Sequence, residues 1–597
     1  MRKRTFFLLL AALLLFSTLP LLSIEPTKAA EAAVYIHADG SVEDTGSIMR
    51  NGDYYTFTSN FTGALYVEKD NITIDGAGYA VNNGSVRGVV LQDRAGVTLK
   101  NAIVELSGGY IIDVGRASNC SLINNTIVGL PTTLNILGLP PTPSLGPYAI
   151  NFLHSQGITI KDNYISGFMV ALSLEWSSNH VITGNTITGG ITGIDIINSP
   201  RCIFRNNNLT NCRFSVRMHP SYSYDNDLDA SNTLNGRPII YWLNATNSTV
   251  PLNAGYILLA YCQNIQIINC NPQAINLVAT TNSQISNVNL SAKSDGVTLQ
   301  NCSQITLSDS SFRNLNIALT VSYSNNNMIS GNDFTNASSG IMLDNTSSNL
   351  IAGNSFADSY LAVFGFQDTT SSGNIYRLNN FTGNDNALRL KGQATVENNL
   401  FFNNSIGIYL SAASGSTITQ NTFVDNTNDL YFSGSSGSRI YLNNFLHNTN
   451  QITDAGSVNP QFSILPPPPL SINQYDNGAR GNYWGSYNGS DSNGDGIGDT
   501  AYVLYGGNQD NFPLMNIVAT APAFSPSSTP NPTVTQTPTA SAQPQDFASA
   551  QPSATAKHAL PEVPARTTLL LAIATAVAVV TLALYRKSKK KPTTNSA

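Results

Sequence analysis

The stretch Ile158-Thr159-Ile160-Lys161-Asp162-Asn163-Tyr164-Ile165 decides the fold. Its apolar residues alternate at a period of two, the pattern of a strand with one buried face rather than of a helix. A lone Asn stands two places before the last apolar residue. The same phrase, apolar-x-apolar-x-x-Asn-x-apolar, returns as His180-Val181-Ile182-Thr183-Gly184-Asn185-Thr186-Ile187, with His180 in the first apolar place. With the last apolar residue as marker, copies end at Tyr79, Val104, Ile127, Ile165, Ile187 and Leu209, and again at Phe312, Phe334, Phe356, Phe381, Phe401, Phe423 and Phe445. The second series advances in steps of 22, 22, 25, 20, 22 and 22 residues. A steady step of this size is one solenoid coil, built of two or three short strands, whose apolar face stays open until the next coil covers it. The expected fold is therefore all-β, a right-handed parallel β-helix over residues 31–460 with an opening segment at 31–80. Between Leu209 and Phe312 the register is not legible, and Leu130–Tyr148 is a Pro-rich insertion.

The Asn before the marker recurs as Asn125, Asn163, Asn185, Asn207, Asn332, Asn354, Asn379, Asn399, Asn421 and Asn443. Asn tolerates the left-handed backbone of a sharp turn. Stacked at the ~4.8 Å strand spacing, its amides can bond coil to coil. The column reads as structural. Cys120 and Cys202 fall seven residues before their markers, at an inward position, and no Cys-x-x-Cys pair exists. The six cysteines read as buried thiols, with Cys202–Cys212 or Cys262–Cys270 bridges left open.

Composition agrees with a solenoid. Of 597 residues, 42% are hydrophobic and only 11% charged, against roughly 25% charged in an ordinary domain. Disorder is excluded for the bulk of the chain, because disordered chains are poor in apolar residues and rich in charge. The net charge of −6, with no basic run before the last dozen residues, argues against a nucleic-acid partner. Arg2, Lys3 and Arg4 precede an apolar run and then small residues, the order of a secretory signal over 1–30. A cap containing an Asp/Gly-rich loop is expected at 461–518, and a Pro/Thr/Ser-rich stalk at 519–564. A transmembrane helix is expected at 565–586, through the uncharged run 567–585, with a cytoplasmic basic tail at 587–597. These ends describe a single-pass type I protein of the cell surface, with sequons such as Asn60-Phe61-Thr62 outside the cell.

Three motifs add a resemblance. Asp70-Asn71-Ile72-Thr73-Ile74-Asp75-Gly76-Ala77-Gly78-Tyr79, then Asn235-Gly236-Arg237-Pro238-Ile239-Ile240-Tyr241-Trp242, then Gly481-Asn482-Tyr483-Trp484 resemble, in that order, segments of NosD-like β-helix surface proteins. The resemblance covers roughly residues 35–516. It implies the parallel β-helix and kinship with carbohydrate-binding and sugar-hydrolase β-helix modules. It also raises the role of the family's namesake, an accessory protein for copper-site maturation.

Three groups of residues could carry chemistry. In the loop Asp491–Asp499, oxygen ligands from Asp491, Asn493, Asp495, the Ile497 carbonyl and Asp499, with Gly496 at the sixth place, match the first part of a calcium loop. Tyr502 stands where the closing Glu would be, so another acid such as Asp510 would have to complete a structural calcium site. Eight residues after the marker a side chain should point outward. This rule places Asp195 and Arg217 in one column and Glu175 and His219 two residues further along the same face, a set of acids and bases suited to a polysaccharide lyase or hydrolase. The same rule gives an outward column of Thr320, Met342, Phe364, Arg389, Tyr409 and Tyr431, whose aromatic faces could hold sugar rings. Copper is not expected, because the six His are scattered and only Met218-His219 are adjacent.

The leading reading is a membrane-anchored, non-catalytic β-helix that binds glycans or cell-envelope components. The alternatives are a tethered lyase or hydrolase using Glu175, Asp195, Arg217 and His219, and a copper-maturation accessory.

Overall fold

The computed structural model describes residues 33–519, apart from 44–45, 84–86, 107–109, 131, 135–141, 145–147, 220–222, 292–293, 366–370, 412 and 456–469. The expected signal, the stalk beyond residue 519, the membrane segment and the tail lie outside the described residues. Among the described residues every element is a strand, and no helix is long and apolar enough to cross a membrane.

Each coil contributes a long strand and two short ones, as in Tyr148–Leu153, Thr159–Lys161 and Tyr164–Ser166. The next coil repeats them as Val170–Glu175, Val181–Thr183 and Thr186–Thr188. Equivalent strands pair in parallel, with Leu172 opposite Ile194, Ile160 opposite Ile182 and Ile165 opposite Ile187. The chain is thus a parallel β-solenoid of the right-handed type with coils of about 22 residues, and the sequence markers are its inward-facing rungs, except that Tyr79 is exposed and Val81 takes the rung opposite Val104.

The second marker series forms one continuous ring stack. Phe312, Phe334, Phe356, Phe381, Phe401, Phe423 and Phe445 lie with neighbouring centroids 4.8–5.0 Å apart and planes within 10°. The coil spacing dictates the ring spacing, and each fully buried ring contributes roughly 1.5–3 kcal/mol. Beside them the inward residues are small: Gly340, Ala362, Ala387 and Gly407. A Cβ on Gly407 would come within 3.1 Å of the Phe423 ring.

The Asn column is a hydrogen-bonded ladder. Asn332 donates its backbone N–H and its Nδ2 to Asn354 Oδ1, both at 3.0 Å, and Nδ2 also donates to the Leu307 carbonyl at 2.9 Å. The pattern continues through Asn379, Asn399, Asn421 and Asn443 to Asn482. Two further ladders run beside it, Asn327–Asn349–Asn374 and Asn384–Asn404–Asn426. The expected backbone role is displaced by one residue. The left-handed positions are the residues just before the ladder, such as Asn124, Asp162, Asn206 and Asn398, with φ of 53–55°. The ladder Asn itself is retained for its side chain, which satisfies polar groups in a dry interior.

The illegible region is a joint. Thr233–Leu234 turns back on Arg237–Leu243 through the two-residue loop Asn235-Gly236, with φ of 52° and 73°. Asn-Gly with both φ positive is the tight hairpin that suits twisted strands. Through this hairpin the short marker sheet of the first half becomes the long-strand sheet of the second, running from Arg237–Leu243 through Tyr256–Ala260 to Asn450–Asp454. The long sheet of the first half ends at Arg213–Arg217. At the joint one sheet serves two cores. Ile239, Tyr241, Tyr256 and Leu258 pack on the first, while Ile240, Ile257 and Leu259 pack on the second.

Candidate functional site

The long sheet of the second half presents the outward column that the spacing rule anticipates. Thr320 lies opposite Met342, Met342 opposite Phe364, Phe364 opposite Arg389, Arg389 opposite Tyr409, and Tyr409 opposite Tyr431. The residues are half-buried rather than fully exposed, since each leans on its neighbours one coil away. The Arg389 guanidinium carbon sits 5.3 Å from the Phe364 ring centre and 4.8 Å from that of Tyr409. Tyr409 meets Tyr431 edge-on, centroids 4.9 Å apart at 79°. The column therefore presents aromatic edges and faces around one held cation. The Pro466–Pro469 segment that could cover it lies outside the described residues. Lys391, in the bend just after the strand that carries Arg389, was missed by the sequence reading.

The acid–base group of the first half is arranged differently from expectation. Asp195 lies opposite Ser215, and Arg217 lies opposite Ile197. The turn after Leu209 is one residue shorter than its predecessor and a bulge falls at Gly193, so the eight-residue rule slides by two. Glu175, Ile197 and Arg217 share one column, and Ser173, Asp195 and Ser215 the other. Asp195 is only 6% exposed, although its place in the strand is outward. Both its oxygens are taken by Arg217, whose Nε donates to Oδ1 at 3.3 Å and whose Nη2 pairs with Oδ2. His219 stands beyond the strand end, its backbone N–H donating to Asn198 Oδ1 at 2.6 Å. The structure brings Asp195 and Arg217 together, but as a closed ion pair.

Arg217 and His219 border a cavity of about 510 Å³ at the joint, completed from the other half by Tyr256, Asn276, Asp295 and Thr298. Asn276 and Thr298 stand in register with Thr320, so the cavity opens onto the beginning of the outward column. Nothing in the repeat pattern could reveal these partners, because the hairpin breaks the register between the halves.

In the Asp/Gly-rich loop, Asp491 accepts the Gly494 and Gly496 N–H groups at 2.8 and 2.9 Å, and Asp495 accepts that of Ile497 at 2.8 Å. Asn493 Nδ2 donates to Asp495 Oδ2 at 2.9 Å. Asp499 accepts from the side chain and the N–H of Ser492 and from Ser490, bonds that hold its carboxyl below the usual range. Asp510 does not join this loop. It is buried, accepting the Trp484 indole N–H at 2.8 Å and the backbone N–H groups of Asn482 at 2.7 Å and Phe512 at 3.0 Å. Its carboxylate thus serves the end of the Asn ladder and the ring stack.

Among the described residues no three His, Cys, Asp or Glu side chains are grouped as metal ligands. The six cysteines are unpaired and buried, and burial pushes the Cys202 thiol up to about 12 and those of Cys212, Cys270 and Cys302 to about 11.

Several solved β-structures resemble the chain weakly. The DFA-IIIase from Arthrobacter chlorophenolicus A6 in complex with GF2 has 13% identity, with 53% of this chain and 83% of that one covered, at a TM-score of 0.24. A tailspike protein mutant of E. coli bacteriophage HK620 in complex with pentasaccharide has 11% identity, with 60% and 72% covered, at 0.28. PfbA, a surface adhesin of Streptococcus pneumoniae, has 13% identity, with 66% and 83% covered, at 0.25. Scores of this size bear on neither mechanism nor ligand. No curated protein matches the chain. The family described as periplasmic copper-binding protein (NosD) matches residues 144–254, 243–394 and 370–489, which together span more than half of the sequence and include both the joint hairpin and the terminal Asn482–Trp484 rung. On that match the chain belongs to the NosD family.

Proposed function

We propose that this NosD-family solenoid is a non-catalytic glycan-binding protein of the cell surface, anchored through 565–586 and holding an extended sugar chain along the outward column of its second half. The observation that carries this reading is the in-register run of Phe364, Arg389, Tyr409 and Tyr431 on one strand face. A repeat of ~4.8 Å along the solenoid axis offers a linear polymer one polar or aromatic contact per coil. Aromatic rings give apolar faces to the C–H faces of sugars, while their edges and hydroxyls remain polar.

Catalysis by Glu175, Asp195, Arg217 and His219 is disfavoured by the Asp195–Arg217 pair, since an acid with both oxygens bound to a guanidinium has no free oxygen to accept a proton. Among the described residues, no group of three His, Cys, Asp or Glu side chains supports the copper role in the family's description. Calcium at Asp491, Asn493, Asp495, Ile497 and Asp499 is proposed as a stabiliser of the cap.

The test is retention and product release measured together, with the purified chain on a panel of insoluble polysaccharides. Retention without new sugar ends, weakened in Tyr409→Ala and Tyr431→Ala, is the expected result. New reducing or unsaturated ends that disappear in Asp195→Ala and Arg217→Ala would replace this reading with an enzyme.

A further inference from the structure

We infer that the glycan face selects anionic sugars, and that Arg389, assisted by Lys391, receives their carboxylate or sulfate groups. The inference rests on the glycan reading above and adds the charge class of the ligand.

The argument begins with what holds Arg389. Its guanidinium lies between the Phe364 and Tyr409 rings, at 5.3 and 4.8 Å from their centres. Two aromatic faces orient the cation and shield it from water, but they supply no hydrogen-bond acceptor in its plane. Among the described residues, no carboxylate lies within ion-pair distance of Arg389 or of Lys391. Arg389 Nε is buried without a hydrogen-bond partner.

Arg389 is one of seven arginines among the described residues with no carboxylate at ion-pair distance, and of these it is the one with a buried side-chain nitrogen lacking a hydrogen-bond partner. Arg87, Arg94, Arg116, Arg205, Arg213, Arg217 and Arg313 are each paired with an Asp. In the first half the arginine of the long-strand face is thus neutralised by Asp195. In the second half the column offers Thr320, Met342, Phe364, Tyr409 and Tyr431, and none of these can balance a cation. On a chain of net charge −6, an unpaired Arg389 on the strand and Lys391 in the bend just beyond its end make a local positive spot.

A guanidinium is a planar fork matched to two oxygens of a carboxylate or sulfate, and a cation already fixed by stacking loses little freedom on binding. Tyr409 and Tyr431 on one side and Phe364 on the other would then hold the rings of the same polymer, so that charge and stacking act on adjacent sugar units. A uronate polymer and a sulfated polymer share this chemistry.

The experiment immobilises the purified full-length chain and measures binding of two matched pairs: polygalacturonate against its methyl ester, and dextran sulfate against dextran. Each pair keeps the backbone and removes the charge. Variants are Arg389→Gln, Arg389→Lys, Lys391→Gln and Tyr431→Ala, with thermal unfolding as a check on the fold. The expected result is preference for at least one charged member, weakened by salt and reduced about 10-fold or more in Arg389→Gln, with Arg389→Lys between the two. Preference for polygalacturonate alone identifies a carboxylate ligand, and preference for dextran sulfate alone a sulfate. Equal binding of charged and uncharged members, lost in Tyr431→Ala but kept in Arg389→Gln, overturns the anion inference and leaves the glycan reading standing. No retention of any polymer by a folded wild-type chain overturns both. Arg389→Lys binding like wild type would show a point charge without the planar fork, and would overturn the bidentate assignment.

Discussion

Trp484 lies on Phe445 with ring centres 4.4 Å apart and planes 7° from parallel, so the seven-phenylalanine column passes to an indole, on which Tyr502 stacks in turn at 5.0 Å and 28°. The same Trp gives its Nε1–H to Asp510, which also accepts the N–H of Asn482, the last rung of the Asn ladder. One short segment, Gly481-Asn482-Tyr483-Trp484, therefore closes two columns at once. Trp484→Ala is expected to destabilise the C-terminal coils by about 3–5 kcal/mol, the range for removing a buried ring. Trp484→Phe keeps the stack and loses the hydrogen bond, at about 1–3 kcal/mol. Because solenoid coils contact only their neighbours, hydrogen exchange should show protection lost first at Asn444–Leu446 and last in the distant coils.

A rung removed from the middle of the ladder should be felt on both sides. In Asn399→Ala the backbone N–H and Nδ2 of Asn379 lose their acceptor, and the Tyr376 carbonyl loses a donor. Asn379 Nδ2 keeps the Ile351 carbonyl, so two buried groups are left unpaired at about 1–3 kcal/mol each, and a loss of about 2–6 kcal/mol is expected from denaturant unfolding. Asn399→Asp keeps the acceptor and should be milder towards Asn379 but still deprive Tyr376. Equal stability of Asn399→Ala and wild type would show the ladder to be incidental.

Two buried carboxyls contribute to the pH response. Burial raises Asp510 from 3.8 to about 6, even though N–H groups of Asn482, Trp484 and Phe512 favour its charged form. The folded state thus holds this proton more tightly than the unfolded one. Stability from this group is full below about pH 4, falls as pH rises to about 6, and is flat above, a change of about 3 kcal/mol in all. Asp429 is raised by burial in the same direction, its Oδ2 unpartnered and its Oδ1 accepting only from Asn426. Against His180, which burial lowers to about 3 and which favours the higher pH, these two groups therefore push the unfolding temperature higher at pH 5 than at pH 8. Asp429→Asn should raise it at pH 8 and narrow that difference, because the amide needs no proton to be neutral.

The Asp/Gly-rich loop yields to metal titration. If calcium replaces the backbone donors around Asp491 and Asp495, millimolar calcium should raise the unfolding temperature of the wild-type chain by a few degrees. A chelator should reverse this, and Asp491→Ala with Asp495→Ala should remove it. A weak site is expected, since bidentate closure by a Glu is absent from the loop and Asp510 is engaged at the ladder's end. Identical unfolding of wild type in calcium and in chelator would retire the site.

What the sequence determined by itself is everything that repeats. Residues 22 apart occupy equivalent places, so the markers, the Asn column and the outward series Thr320 to Tyr431 could be aligned before any coordinate was known. The physical reason is that stacked coils have one backbone pitch, and inward and outward positions alternate within each strand. The tertiary structure alone decided what breaks the repeat. A bulge at Gly193 and a turn shortened by one residue moved Arg217 away from the column of Asp195, yet a long side chain still reached across to close the pair. The Asn235-Gly236 hairpin carried one sheet from the first core to the second and brought Tyr256, Asn276 and Asp295 against Arg217 and His219. Burial of Asp510 under the final rung withdrew it from the loop that its position along the chain suggested. Such outcomes depend on contacts between coils whose offset no single period encodes.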